Sequence, residues 1–178
     1  MSTYKIIFTG PVGAGKTTAI TAISDIEPFT TEEIATDEVR HMKQNTTVAM
    51  DYGSMTLDNG EHIHLYGTPG QERFDFMWEI LTEGGIGLIL LLNNKSPAPL
   101  DELAFYLDRF KGFIDATGIA IGVSRMEIGQ FPTIDDYVGV LQRRQMNVPV
   151  FEVDPREPHD VVILTQALLY SLDPGLSQ

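Results

Sequence analysis

One short segment limits what this chain can fold into more than any other feature. Gly10-Pro11-Val12-Gly13-Ala14-Gly15-Lys16-Thr17 matches G-x-x-x-x-G-K-[ST] at every position. It follows the β-rich run Tyr4–Thr9 directly and opens a helix-like stretch, Thr17–Ser24, with Ile20 and Ile23 on one face. A strand that turns at once into a helix through such a loop aims several backbone N–H groups, and the positive end of the helix dipole, at one point. The chemistry that uses this is phosphate binding. The run Gly10, Pro11, Val12, Gly13, Ala14, Gly15, Lys16, Thr17 and Thr18 is therefore the expected cradle. Lys16 supplies a full charge for the β and γ phosphates, and the Thr17 hydroxyl is an expected Mg²⁺ ligand.

The rest of the chain alternates strand-length apolar runs with helical patterns. Val48–Leu57 and Glu61–Tyr66 flank Asp58-Asn59-Gly60, a hairpin signal. Ile86–Asn93 is the most hydrophobic strand, and Leu100, Leu103, Ala104, Leu107, Phe110 and Ile114 then recur at helical spacing. Gly118–Ser124 and Val148–Val153 read as strands, the stretch around Ile134, Tyr137, Val138 and Leu141 as a helix, and Val161–Leu172 as the last helix. The expected fold is one α/β domain over residues 1–178, with 173–178 a frayed tail. Its sheet is doubly wound, mostly parallel and six-stranded, with one antiparallel edge strand. One stretch, Asp25–Thr46, has charge but little periodicity. It reads as a functional loop, a short surface helix around Glu32–Lys43, or both.

Composition narrows the function classes. The 178 residues carry 12 Lys+Arg against 25 Asp+Glu, a net charge of −13. That balance speaks against nucleic acid as a partner and against a polybasic membrane anchor. With no cysteine there is no disulfide, thiolate metal site, Cys nucleophile or thioether lipid anchor. The longest apolar run is far shorter than the roughly 20 residues that span a bilayer. A cytoplasmic protein, brought to a membrane only by a partner, is the expectation.

A second cluster selects among P-loop classes. Tyr66-Gly67-Thr68-Pro69-Gly70-Gln71-Glu72-Arg73-Phe74 resembles the D-T-A-G-Q-E segment of Ras-like small GTPases, with Gly70, Gln71 and Glu72 in register. Thr46-Thr47-Val48-Ala49-Met50-Asp51-Tyr52 resembles the first switch of Rab-like members, T-I-G-V-D-F. His64–Gln71 is similar to the H-L-Y-x-x-P-G-Q of bacterial small GTPases of the MglA type and their conservon-associated relatives. The resemblance implies a Ras-like G domain that binds GTP and GDP with Mg²⁺. In it Gly70 N–H meets the γ-phosphate, Gln71 orients the attacking water, and Thr47 is a second Mg²⁺ ligand. Lys16, Thr47 and Gln71 are thus the expected catalytic residues, and Thr17 and Thr47 the metal ligands. Expected partners are effectors and a GTPase-activating protein, of roadblock type by analogy, around a monomer or weak dimer.

This sequence departs from the family pattern in three places. Position 67, where most small GTPases carry a Mg²⁺-holding Asp, is Gly, and Asp37, Glu38 and Asp51 are the alternative carboxylates. MglA-type proteins lack this Asp too. The guanine motif N-K-x-D is replaced by Ser124-Arg125-Met126-Glu127, with Glu127 the expected reader of the guanine N1–H and N2–H₂ edge and Arg125 lying along the base. Asp154-Pro155-Arg156 stands where the family's S-A-K loop would be. Finally, no Lys or Arg occurs from Gln44 through Glu72. An arginine finger, worth about 10³–10⁵ in rate, would come from Arg40, Arg73 or a partner, so slow intrinsic hydrolysis is expected.

Other features weigh less. His62 and His64 alternate with Ile63 and Leu65, which marks the less buried face of a strand rather than a metal site. Phe74, Phe76, Met77 and Trp78 either pack the second switch onto the core or form a partner surface. The reading is a slowly hydrolysing GTPase switch, with conformational change in Thr30–Thr47 and Thr68–Trp78. A non-hydrolysing nucleotide-binding scaffold and a P-loop phosphotransferase are its rivals.

Overall fold

A computed structural model of the chain describes residues 2–34, 47–70, 76–127 and 130–172, and in 29–34 and 47–50 the backbone only. In chain order the elements are β1 (Thr3–Thr9), α1 (Lys16–Ile23), β2 (Phe29–Ile34), β3 (Thr47–Thr56), β4 (His62–Gly67), α2 (Phe76–Thr82) and β5 (Gly87–Asn93). There follow α3 (Pro99–Arg109), α4 (Lys111–Ala116), β6 (Ile119–Ser124), α5 (Ile134–Arg143), β7 (Val150–Glu152) and α6 (Pro158–Leu172). The strands form one sheet in the order β2-β3-β4-β1-β5-β6-β7.

The mostly parallel, doubly wound α/β sheet with one reversed strand is as expected from the alternation of elements. Two details differ. The sheet has seven strands among the described residues, not six, because Phe29–Ile34 pairs antiparallel with β3, from Phe29↔Tyr52 to Ile34↔Thr47. The reversed strand is consequently β3, which is antiparallel to both neighbours and lies inside the edge. Phe29-Thr30-Thr31-Glu32-Glu33-Ile34 has little alternation, and its strand conformation follows from the unpaired edge that β3 offers it. The expected surface helix does not begin at Glu32, and 35–46 lie outside the described residues. The helical pattern from Leu100 to Ile114 is split at Phe110 into α3 and α4.

The central strands explain their own composition. β5 lies between β1 and β6, both parallel to it, and is covered on both faces, so Leu88 to Leu92 are all buried. Along β1, Ile6 and Phe8 face a layer containing Ile20, Leu164 and Leu168, while Ile7 faces one containing Leu103, Tyr106 and Tyr137. This period-two alternation builds two helical layers from one strand. Burying these side chains stabilises the fold by roughly 1.5–3 kcal/mol each. On β4 the same alternation buries Ile63 and Leu65 and leaves His62 exposed and His64 half-buried. His64 Nδ1 instead meets the Tyr52 hydroxyl at 2.6 Å. Among the described residues no helix is long and apolar enough to cross a membrane.

The parallel strands β1, β5 and β6 end on the same side of the sheet. Their C-terminal ends carry the glycine-rich loop, Lys95 and Ser124–Glu127 respectively, and this is where ligands of open α/β sheets bind.

Candidate functional site

The loop between β1 and α1 takes a path that needs glycine. Gly10, Gly13 and Gly15 have φ of 148°, 80° and 97°, and a Cβ on Gly10 would stand 2.1 Å from the Leu91 carbonyl oxygen. The turn brings Lys16 back over its own loop. Its ammonium, in a residue 8% exposed, donates to the carbonyls of Gly10 at 2.7 Å and Pro11 at 2.9 Å. Burial lowers the Lys16 pKa to about 8, and the nearby Asp51 carboxylate opposes that shift. A buried, partly desolvated cation folded over a glycine-rich strand-to-helix loop is poised for a polyanion.

Thr17, the next residue, donates from Oγ1 to Asp51 Oδ2 at 2.6 Å. Asp51 is on β3 and is the register partner of Gly67 on β4. A Cβ at position 67 would lie 3.0 Å from both Asp51 Cβ and Asp51 Oδ2. The missing side chain at 67 is thus the space that the Asp51 carboxylate fills. Of the three alternative carboxylates, Asp51 is the one placed beside Thr17; Asp37 and Glu38 lie outside the described residues. A hydroxyl and a carboxylate at the mouth of a phosphate loop are the hard oxygen donors that Mg²⁺ takes, the rest of its shell being phosphate and water. No group of three His, Cys, Asp or Glu able to hold a metal occurs among the described residues. Thr47 opens β3, but its side chain is outside the description, and Gln71 lies outside the described residues altogether.

Beyond β4 the chain crosses the phosphate loop. The buried Thr68 is tied to β1 through its N–H to the Phe8 carbonyl at 2.9 Å and its hydroxyl to that of Thr9 at 2.8 Å. The Trp78 indole N–H donates to the Pro69 carbonyl at 3.0 Å. Trp78 is buried and stacks on Tyr106 and Phe110, with centroids at 5.4 and 5.1 Å, so this aromatic packs the segment onto the core. Gly70 is pressed onto the loop: a Cβ there would be 2.8 Å from Lys16 Nζ and 2.8 Å from the Val12 nitrogen.

A cleft of about 940 Å³ runs from this loop to the far end of β6. It gathers Gly13 to Thr18 with Ser124, Arg125, Glu127, Asp154, Pro155 and Arg156, which were expected at one site from sequence. Of the phosphate-loop residues named from sequence, Gly10, Pro11 and Val12 complete the turn outside this lining. Arg125 has φ 56°, a left-handed conformation uncommon for a side-chain-bearing residue, and this bends the chain sharply after β6. Ser124 does not offer its hydroxyl to the cleft: it is buried and donates to the Leu92 carbonyl at 3.3 Å. Arg156 binds Asp154 through two side-chain bonds, at 2.9 and 2.7 Å, which hold the Asp154 carboxyl down at about 2. Pro155 sits against Gly15, where a Cβ would meet its Cγ at 2.7 Å.

Lys95 is the residue that sequence reasoning missed. It lies two positions beyond β5, lines the cleft and forms an ion pair with Glu127, whose other carboxylate oxygen accepts from Gln130 Nε2 at 3.0 Å. The available signal was positional: a basic residue at the C-terminal end of a fully buried parallel strand.

Comparison with known proteins agrees with this geometry. Residues 8–99 match the family described as "Conserved hypothetical ATP binding protein". An uncharacterized protein of Methanocaldococcus jannaschii is 30% identical over 118 residues, which are 64% of this chain and 72% of the relative. The matched segment runs from β1 through the phosphate loop, Asp51, Gly67 and Lys95, so the chain belongs to this conserved family of P-loop nucleotide-binding proteins.

Proposed function

We propose that this protein is a small GTPase switch of the MglA type, hydrolysing GTP slowly to GDP and phosphate. The observation that carries the reading is the close approach of Gly70 to the phosphate loop, where an added Cβ would stand 2.8 Å from both Lys16 Nζ and the Val12 nitrogen. In this reading a γ-phosphate held by Lys16 is met by the Gly70 N–H and enters a space that Gly70 already crowds. Its arrival therefore shifts the segment that begins at Gly70, beyond the anchored Thr68, and that segment is linked through Pro69 to Trp78 and α2. A diphosphate leaves Gly70 in place. The difference of one phosphate becomes a difference in backbone position, which is what a nucleotide switch requires.

In the reaction, Lys16 and the backbone N–H groups hold the phosphate chain; Thr17 and Asp51 would hold Mg²⁺, which would supply charge neutralisation. Gln71 orients a water for in-line attack on the γ-phosphorus. The bond from that phosphorus to the bridging oxygen breaks, leaving GDP and inorganic phosphate. An added cation from Arg40, Arg73 or an activating partner raises the rate, and effectors read the 30–47 and 68–78 segments. A roadblock-type activator is part of this proposal by analogy with MglA-type proteins.

The family description names ATP, which favours a second reading as an ATPase of the same switch design. Single-turnover hydrolysis of GTP and of ATP with Mg²⁺, alongside the fluorescence of Trp78, the sole tryptophan, tests both. The expected result is slow GTP turnover, lost in Gln71→Leu, with different Trp78 emission in the di- and triphosphate states. Turnover of ATP in preference to GTP selects the second reading. Triphosphate binding with no turnover and no change at Trp78 refutes the switch.

A further inference from the structure

At the base end of the cleft, the donors of the 154–156 loop and of Ser124 are occupied within the described residues. Pro155 has no N–H. The Arg156 N–H is taken by Asp154 Oδ1 at 3.0 Å, and the Asp154 N–H by Asp160 Oδ2 at 2.9 Å. The Arg156 guanidinium is folded back on Asp154, and the Ser124 hydroxyl is turned into the strand. At the ends of the adjacent parallel strands β5 and β6 stand one ammonium and one carboxylate already in contact, Lys95 and Glu127, with Gln130 fixing the second carboxylate oxygen.

We propose that Lys95 is a base-reading residue, which with Glu127 forms a composite donor–acceptor head that selects guanine over adenine. The inference rests on the nucleotide reading of the cleft given above. The guanine edge presents N2–H₂ and N1–H as donors and O6 as an acceptor. The two Glu127 oxygens accept the first two, and Lys95 Nζ donates to O6. All three positions are complementary. Adenine in the same position sets its N6–H₂ donors against the Lys95 ammonium, its N1 acceptor against one Glu127 oxygen, and a C–H against the other. That oxygen would then be desolvated without a partner, the kind of mismatch by which a polar site rejects the wrong ligand. In this arrangement the Lys95–Glu127 pair is opened by the base, whose own groups replace the contact.

Equilibrium competition among GDP, ADP and inorganic pyrophosphate with Mg²⁺, on the wild-type chain and on Lys95→Met and Lys95→Arg, tests this. The wild type is expected to prefer GDP. Lys95→Met should lose about 10–100-fold in GDP affinity, with ADP and pyrophosphate changing less than about threefold. Lys95→Arg, which keeps a cationic donor, should restore most of the preference. Unchanged pyrophosphate binding also verifies that each variant is folded.

Equal loss for GDP and ADP in Lys95→Met, an unchanged GDP preference, or a wild type that binds ADP as well as GDP overturns the inference while leaving the nucleotide site standing. If the wild type binds neither diphosphate, the reading of the cleft itself fails and takes this inference with it.

Discussion

Gly67 and Asp51 face each other across the β3–β4 pair, and an exchange of the two tests whether position 67 is glycine because the carboxylate comes from the other strand. Gly67→Asp places a Cβ 3.0 Å from the Asp51 carboxylate and 3.2 Å from Ile20 Cδ1. Overpacking of that kind costs about 1–3 kcal/mol. Two ionised carboxylates about 4 Å apart repel by up to about 4 kcal/mol at an effective dielectric constant of 20, so one of them takes up a proton instead. A net loss of about 3 kcal/mol, at about 2–4 °C per kcal/mol for a chain of this size, lowers Tm by about 6–12 °C. Asp51→Gly alone removes the acceptor of the Thr17 hydroxyl and is expected to cost about 1–2 kcal/mol. The double exchange, with one carboxylate moved across the rung, should melt close to the wild type. The coupling between the two changes is then at least about 2 kcal/mol. Thermal melts of the four forms by circular dichroism, free of nucleotide and with chelator, measure it. A Gly67→Asp variant melting within about 2 °C of the wild type, or a double variant that shows the sum of the two losses, refutes the reasoning.

Two further outcomes follow from buried groups. Lys16 titrates near 8 in the folded chain against 10.5 unfolded. Between those values the unfolded chain holds more protons, so this group's contribution to stability rises with pH over that window. A polyphosphate needs the charged form, and nucleotide affinity should therefore fall above about pH 8, by up to about tenfold per unit, with proton uptake on binding measured by calorimetry in two buffers. Affinity constant from pH 7 to 9.5 would contradict this. Tyr137→Phe removes the hydroxyl that donates to buried Asn94 Oδ1 at 2.6 Å, while Asn94 Nδ2 still donates to the Pro132 carbonyl at 3.0 Å. The orphaned acceptor should cost about 2 kcal/mol, or about 4–8 °C in a thermal melt, and an unchanged melt would show that water satisfies it.

The phosphate loop was legible because its chemistry is local. The spacing of Gly10, Gly15, Lys16 and Thr17 specifies a backbone path, and consecutive residues supply both the path and the charge. The strands β1, β5 and β6 were legible for the same reason, since their apolar runs need nothing beyond burial on both faces. The helix across Phe110 was read as continuous because its apolar spacing is uninterrupted, and spacing does not report where backbone hydrogen bonding shifts.

What the sequence by itself determined is a strand–loop–helix that binds phosphate, set in a mostly parallel sheet. What only the tertiary structure decided is which residues from distant segments complete the site. Asp51 is set beside Thr17, 34 positions away in the chain, only by the β3–β4 register that places it opposite Gly67. Lys95 is brought to Glu127, 32 positions further on, only by the side-by-side run of β5 and β6. β2 was formed by the open edge of β3 rather than by its own pattern. In each case the deciding quantity is a distance between residues remote in sequence. Strand pairing fixes such distances, and local propensity carries no information about them.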